Sequence, residues 1–244
     1  MSDAIHVIDA NTMIGMHPTH KLDMTVERVV REMDAFRVAS CVAISTISVF
    51  HDHALGNAAT LEAAKSAPRL IPAATINPKR YLGVSADVAA MREQGFRIFR
   101  FFPDEQAWPA DSPAFAQVLK QLAEIKAPVM IDAAEPGEPG CIARAVSDYP
   151  APVILSAVSL ETLAEALAAM AGLPNLVIET HELRVPDALS LIAERVGAER
   201  IVFGSGAPRR SVAGALQYVY SSDLSDGDKR NVLGGNIKRI LEAA

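Results

Sequence analysis

A single-domain (β/α)8 barrel of the α/β class, closed by a C-terminal helix, is the fold this sequence predicts, and three observations lead to it. Eight short β-rich apolar runs alternate with longer amphipathic segments along the whole chain. The runs recur roughly every 25 to 35 residues, the length of one strand–helix unit. The chain has 244 residues, which matches what eight such units require. An open doubly wound sheet is the alternative, but no GxGxxG phosphate fingerprint follows the first run.

The predicted strands are Ile5 to Asp9, Ser40 to Ser45, Leu70 to Thr75, Phe96 to Phe101, Pro128 to Asp132, Pro152 to Ala157, Leu176 to Thr180 and Arg200 to Gly204. Between them, apolar residues recur every three or four positions in Thr25 to Phe36, Asn57 to Lys65, Ser112 to Ile125, Leu160 to Met170 and Asp187 to Val196, the spacing of a helix with one buried face. Pro68, Pro128, Pro150, Pro152 and Pro174 sit at or just before strand starts, where a missing backbone donor is tolerated. Ser225 to Leu241 reads as the closing helix, with Ser225 as N-cap and Asp228 in the position of a capping-box partner.

Composition narrows the function classes. Half of the residues are apolar and the net charge is -6, with no basic block or Arg/Lys-rich helix face, so neither nucleic acid nor a membrane surface is an expected partner. No run of eighteen apolar residues and no signal-peptide pattern occurs, and a cytoplasmic location is expected. The two cysteines, Cys41 and Cys141, are far apart and form no CxxC, which argues against a disulfide framework or a thiolate metal site.

Four stretches carry recognisable motifs: Val7 to Gly15, Gly95 to Pro103, Arg200-Ile-Val-Phe-Gly-Ser-Gly206-Ala-Pro208, and Asn231 to Leu241 with its Gly-Asn-Ile-Lys-Arg-Ile-Leu. Together they resemble the amidohydrolase-related family of TIM barrels, which includes lactonases, decarboxylases and other hydrolases. That resemblance implies a divalent metal, zinc or manganese, at the strand ends. The ligand positions it implies hold Asn11 and Met13 after strand one, Asp132 after strand five, Ala157 or Ser156 after strand six, and Gly206 in place of a strand-eight aspartate. Asn is a weak ligand and a thioether is a soft one; of these positions only Asp132 suits a hard cation. No resident metal and no other cofactor are therefore expected.

What remains at the predicted mouth is polar: Asp9, Asn11, Thr46, Asn77, Arg100, Asp132, Glu179, His181 and Ser205. Arg100, set among aromatic residues in Phe99-Arg100-Phe101-Phe102, is the candidate clamp for a carboxylate, with Asn11, Asp9 and Ser205 as further ligand contacts. Alternatively Arg100 pairs with Asp9 or Asp132 inside the old metal cavity. Asp132, Glu179 and His181 could form a metal-free acid/base group. His17, His20, His51 and His53 fall in loops with spacings that would tolerate a relocated metal site.

Three functions follow. Placed first is an amidohydrolase-like barrel without catalysis, binding a small anionic molecule or partnering an active paralogue. Next comes a metal-independent hydrolase, lactonase or decarboxylase using Asp132, Arg100 and His181, and last a hydrolase with a rebuilt metal site. A homo-oligomer is also expected, since barrels of this kind commonly assemble symmetrically.

Overall fold

The computed structural model describes residues 6–80 and 88–243; Ile5, which opens the first predicted strand, lies outside the described residues. Nine strands form one sheet in the order β2-β1-β3-β4-β5-β6-β7-β8-β9. They are β1 (Val7–His17), β2 (Leu22–Met24), β3 (Val38–Ser45), β4 (Leu70–Ala74), β5 (Ile98–Phe101), β6 (Val129–Asp132), β7 (Val153–Ser156), β8 (Leu176–Glu179) and β9 (Ile201–Val202). From β1 to β9, leaving β2 aside, every neighbouring pair is parallel. The sheet closes on itself through Ala10 N to Phe203 O at 2.9 Å, Gly206 N to Asn11 O at 3.0 Å and Met13 N to Ala207 O at 2.8 Å. The predicted eight-stranded barrel is thus observed, and closure removes the free edges an open sheet would expose.

The first strand is longer than its apolar run suggests. It continues beyond Asp9 to His17 and leaves the barrel rim to pair antiparallel with β2, Gly15 opposite Met24 and His17 opposite Leu22. Its register against β3 also slips: Asp9 faces Cys41 and Thr12 faces Ala43, three steps on one strand against two on the other, which is a β-bulge. The bulge matters because it lets both Ala10 and Asn11 point inward. Ala10 packs in the inner core, and the Asn11 amide meets side chains of β7 and β8.

Strand alternation sorts the core into two layers. Ile8, Val42, Ile44, Ala73, Ile98, Met130, Ile154, Val177 and Val202 fill the barrel interior, while the intervening residues, such as Cys41, Phe99, Val129, Ile131 and Ile178, pack against the helices outside. The predicted helices appear as α1 (Val26–Ala35), α3 (His53–Ser66), α6 (Pro113–Glu124), α8 (Leu160–Gly172) and α9 (Ala188–Val196), joined by α2 (Thr46–Phe50), α4 (Val88–Glu93), α5 (Pro103–Gln106), α7 (Glu138–Ala145) and α10 (Val212–Tyr220). Thr25 and Ser112 cap α1 and α6, each accepting a backbone N–H three residues on.

The closing segment departs from one continuous helix. It runs as α11 (Asp226–Arg230), a π-helical turn (Asn231–Gly235) and α12 (Asn236–Glu242). The cause is a close approach at the barrel floor: a Cβ on Gly234 would lie 1.9 Å from the His6 carbonyl oxygen, so the segment needs glycine there and a widened turn. Ser225 caps α11 as expected, accepting from Asp228 N at 3.1 Å. The Asp228 carboxylate does not reach back to the cap backbone; it accepts the Ser225 hydroxyl at 2.7 Å. Beyond the turn, Ile237 and Ile240 plug the barrel interior from below. Asn236 Nδ2 donates to the carbonyls of Ala198 and Ile201, both at 2.8 Å, and Arg200 donates to Leu176 O, Met170 O and Leu173 O. These motif residues therefore have a structural role: they satisfy carbonyls left open at the floor of the barrel.

Asp9 does the same work at the rim. Alternation turns it away from the interior, and its carboxylate accepts Asn11 N at 3.0 Å, Ser205 N at 2.9 Å, Ser205 Oγ at 2.5 Å and Thr12 Oγ1 at 3.2 Å. Both ends of the closing seam, β1 and the loop after β9, hang on this one side chain. Replacing it by alanine leaves buried donors unsatisfied, and Asp9→Ala is expected to lower stability by about 3 kcal/mol in urea unfolding, with faster amide exchange at Asn11 and Ser205. Wild-type protection at those two amides would contradict a seam held by Asp9.

Candidate active site

Alternation carries five polar side chains onto the inner face at the strand ends. Arg100 follows Ile98 on β5, Asp132 follows Met130 on β6, Ser156 follows Ile154 on β7, Glu179 follows Val177 on β8, and the bulge adds Asn11 from β1. His181 stands just beyond β8. All are buried. Apolar layers below them and the loops above leave them little water, so their hydrogen bonds decide their charge states.

Glu179, 0 % exposed, is the hub. Its Oε2 accepts from Asn11 Nδ2 and Ser156 Oγ, each at 3.0 Å, and from His181 Nδ1 at 2.5 Å, while Oε1 accepts from His181 N at 2.7 Å. Burial alone raises a carboxyl pKa. Here the His181 charge and the four donors outweigh burial, and Glu179 is held below its usual range. The partner moves the opposite way: burial lowers the pKa of His181, but the Glu179 carboxylate beside it, with help from Asp132 and Glu182, raises it overall. The network assigns the Nδ1 proton to the bond with Glu179, so Nε2 carries the proton that can leave.

That Nε2 atom is buried and makes no hydrogen bond, and the same holds for Arg100 Nε and Nη1 and for Asp132 Oδ1. Arg100, the largest fully buried side chain, forms no ion pair within 4 Å with Asp9 or Asp132; its guanidinium lies 5.1 Å from the centre of the Phe102 ring. Burial lowers its pKa, and Asp132, then Glu179, work against that. Asp132 is raised by burial, against the pull of Arg100, His181 and Arg209. Buried polar atoms without partners are rare in folded proteins, and here several of them cluster where strand ends converge.

Of the other expected contacts, Asp9 and Ser205 are engaged with each other, which takes the Ser205 hydroxyl out of ligand binding. Thr46 opens α2 and is buried, and Asn77 forms a local turn by accepting Lys79 N. His17 and His20 do come together, ring centres 4.6 Å apart, with His17 also against Phe50. His51 is exposed at the end of α2 and His53 begins α3. Among the described residues no three His, Cys, Asp or Glu side chains converge as metal ligands.

The sequence reading missed Arg209, Arg210, Glu105 and Glu182. Arg209 pairs with Glu105 at 3.5 Å, and Arg210 makes a forked bond to Glu182 at 2.8 and 3.0 Å. Both arginines line two cavities at the mouth, one of about 510 Å3 with His181 and Ser205, the other of about 280 Å3 with Asp132, Glu105 and Glu182. The available signal was the Arg-Arg pair directly after the Gly-Ser-Gly-Ala-Pro segment, a place that barrel topology puts at the mouth.

The amidohydrolase family model matches residues 8–242, and the chain belongs to the amidohydrolase family. No curated protein matches it in sequence. Among solved structures it is similar to 2,6-dihydroxybenzoate decarboxylase from Rhizobium, with 13 % identity, 98 % of this chain and 99 % of that one covered, and a TM-score of 0.77. It is also similar to 5-carboxyvanillate decarboxylase from Novosphingobium aromaticivorans, complexed with manganese and 4-hydroxy-3-methoxy-5-nitrobenzoic acid (14 %, 99 % and 97 %, TM-score 0.78). A third is a Pseudomonas putida protein described as a 2-pyrone-4,6-dicarboxylic acid hydrolase (15 %, 98 % and 98 %, TM-score 0.76). At these identities the likeness carries the barrel fold and no more.

The family resemblance raises the question of a metal, and the donor set does not fit one. Met13 is packed in the apolar interior. Asn11 offers its amide nitrogen to Glu179 and Ser156, and Gly206 has no side chain. A Cβ on Gly206 would in fact meet the His181 ring at 2.7 Å.

The opposite shifts of Glu179 and His181 predict how their coupling varies with pH. The lowered Glu179 contributes stability above its ordinary value of 4.5, lost as pH falls through its folded value; the raised His181 contributes below 6.5, lost as pH rises through its own. A double-mutant cycle with Glu179→Gln and His181→Gln should give its largest coupling between those two values and decline on both sides. Single Glu179→Gln should cost about 3 to 5 kcal/mol at pH 5.5. A coupling energy flat from pH 4 to 9 would show that the pair is not ionic.

Proposed function

We propose that this protein is an enzyme that hydrolyses a small cyclic ester or amide bearing a carboxylate, by proton transfer without a metal. One observation carries the reading: a buried cation, a carboxyl and an imidazole, each with an unpaired hydrogen-bonding atom, gather on the inner face at the ends of β5, β6 and β8. Hydrolysis needs those three roles. Arg100 offers fixed N–H donors to the oxyanion that forms when water attacks the carbonyl. Asp132, made more basic by burial than an ordinary carboxylate, takes the proton from that water. His181, held protonated by Glu179, gives the Nε2 proton to the departing oxygen or nitrogen. Glu179 touches no substrate; it sets the tautomer and charge of His181, and Asn11 and Ser156 hold Glu179 in place.

The non-catalytic role ranked first from the sequence gives way because an inert barrel has no need of unpaired buried charges, which destabilise it. The carboxylate on the substrate is supported by Arg209 and Arg210 at both cavities and by the small acids named for the similar structures. Decarboxylation is the second reading, favoured by the same protonated His181: the C–C bond breaks, its electron pair stays on carbon, and that carbon takes the Nε2 proton as carbon dioxide leaves.

The test is turnover of a panel of lactone carboxylates and hydroxybenzoates by protein stripped with a chelator. Ring opening marks hydrolysis and carbon dioxide marks decarboxylation. His181→Gln should lower kcat/KM by about 100-fold or more, and Arg100→Met, which removes the oxyanion donors, should lower kcat by about 100- to 1000-fold without unfolding the barrel. For hydrolysis kcat/KM should rise with pH through the raised pKa of Asp132 and fall through that of His181. Activity that appears only when zinc or manganese is added back would refute the metal-free mechanism, and binding of acids without turnover would return the protein to the non-catalytic class.

A further inference from the structure

Glu182 is a carboxylate at the mouth held by cations on several sides. Its oxygens accept Arg210 Nη2 at 2.8 and 3.0 Å and Arg210 Nε at 3.1 Å. Arg184 Nη2 lies 3.3 Å away, and Glu182 Oε1 is 3.7 Å from His181 Nε2, the buried nitrogen without a hydrogen bond. The flanking arginines are about half exposed, but the imidazole side chain is 1 % exposed, so it is a built and desolvated part of the arrangement. His181, Arg184 and Arg210 all line the larger cavity, and Glu182 and Arg210 line the smaller one. The Glu182–Arg210 pair therefore stands at the boundary between the two.

A forked guanidinium–carboxylate bond beside a protonated imidazole is the arrangement that binds a carboxylate ligand. We propose that Arg210 and Arg184, beside the His181 imidazole, form an anion site for a carboxylate group of the ligand, and that Glu182 occupies this site as an internal stand-in which the ligand must displace. The ligand's carboxylate would take over the Arg210 fork, leaving the Nε2 proton of His181 to the reacting centre, while Glu182 turns out to solvent from a position where it is already 22 % exposed. This rests on the reading of His181 as a functional group, yet it does not require turnover. Its consequence is self-competition: the competent state is only a fraction of the free protein, and apparent affinity is reduced by that fraction.

Removing the stand-in should therefore tighten binding. Isothermal titration calorimetry with benzoate at fixed ionic strength, on wild type, Glu182→Ala and Glu182→Ala/Arg210→Met, reads this directly. Glu182→Ala is expected to bind benzoate about tenfold more tightly, and the added Arg210→Met change should abolish the gain. Glu182→Gln, which keeps the shape and removes the charge, serves if the alanine variant does not fold. Equal affinities in wild type and the Glu182 variants would overturn the proposal, as would a gain that survives Arg210→Met. Because the readout is binding, a protein inactive on every substrate could still pass, and an active enzyme whose Glu182 variants bind benzoate no better would fail it alone.

Discussion

The contact between the Glu179 carboxylate and the His181 imidazole governs the rest of the mouth. A carboxylate with no exposure would ordinarily be neutral or would disrupt the fold. Four donors from β1, β7 and its own turn favour its ionised form, and that charge in turn raises the pKa of His181. Gly204 belongs to the same arrangement, since a Cβ there would lie 1.9 Å from Glu179 Oε1. The bulge in β1, the serine on β7 and the glycine after β9 are all consequences of housing one charge.

Around this pair the barrel separates charged groups that are fully hydrogen-bonded from those that are not. Asp9 carries as many hydrogen bonds as Glu179, but faces the helices and closes the seam. Arg100 and Asp132 carry almost none and face inward. At equal burial the two kinds of group thus differ in their hydrogen-bond partners. It follows from side-chain direction along the strands, which alternation sets and one bulge modifies.

The eightfold alternation made the barrel legible in the sequence, and the strand-end rule located Arg100, Asp132, Glu179 and His181 correctly near one another. What the sequence could not display was the third dimension of each rim residue. Asp9 and Asn11 look equivalent, two residues apart on one strand and so expected on one face; the bulge between them sends one outward and the other inward. Ser205 read as a mouth hydroxyl, but its partner is 196 positions away in the chain. Arg209, Arg210 and Glu182 were missed because loops carry no periodicity, and their positions depend on how β9 returns to β1. The long first strand escaped notice because its extension is buried and paired with β3 as far as Ile14, across a bulge that breaks the alternation, and pairs with β2 only from Gly15 to His17.

One spatial exclusion also constrains how this chain can vary. The His181 ring lies against the face of Gly206, close enough that even a methyl group there would press on it, and Gly206 sits at a φ of +69° that side chains rarely adopt. A carboxylate at 206 and the imidazole in its present pose cannot coexist. The two positions are therefore epistatic: each identity is acceptable only given the other, and a path toward an aspartate at 206 must first move the residue at 181.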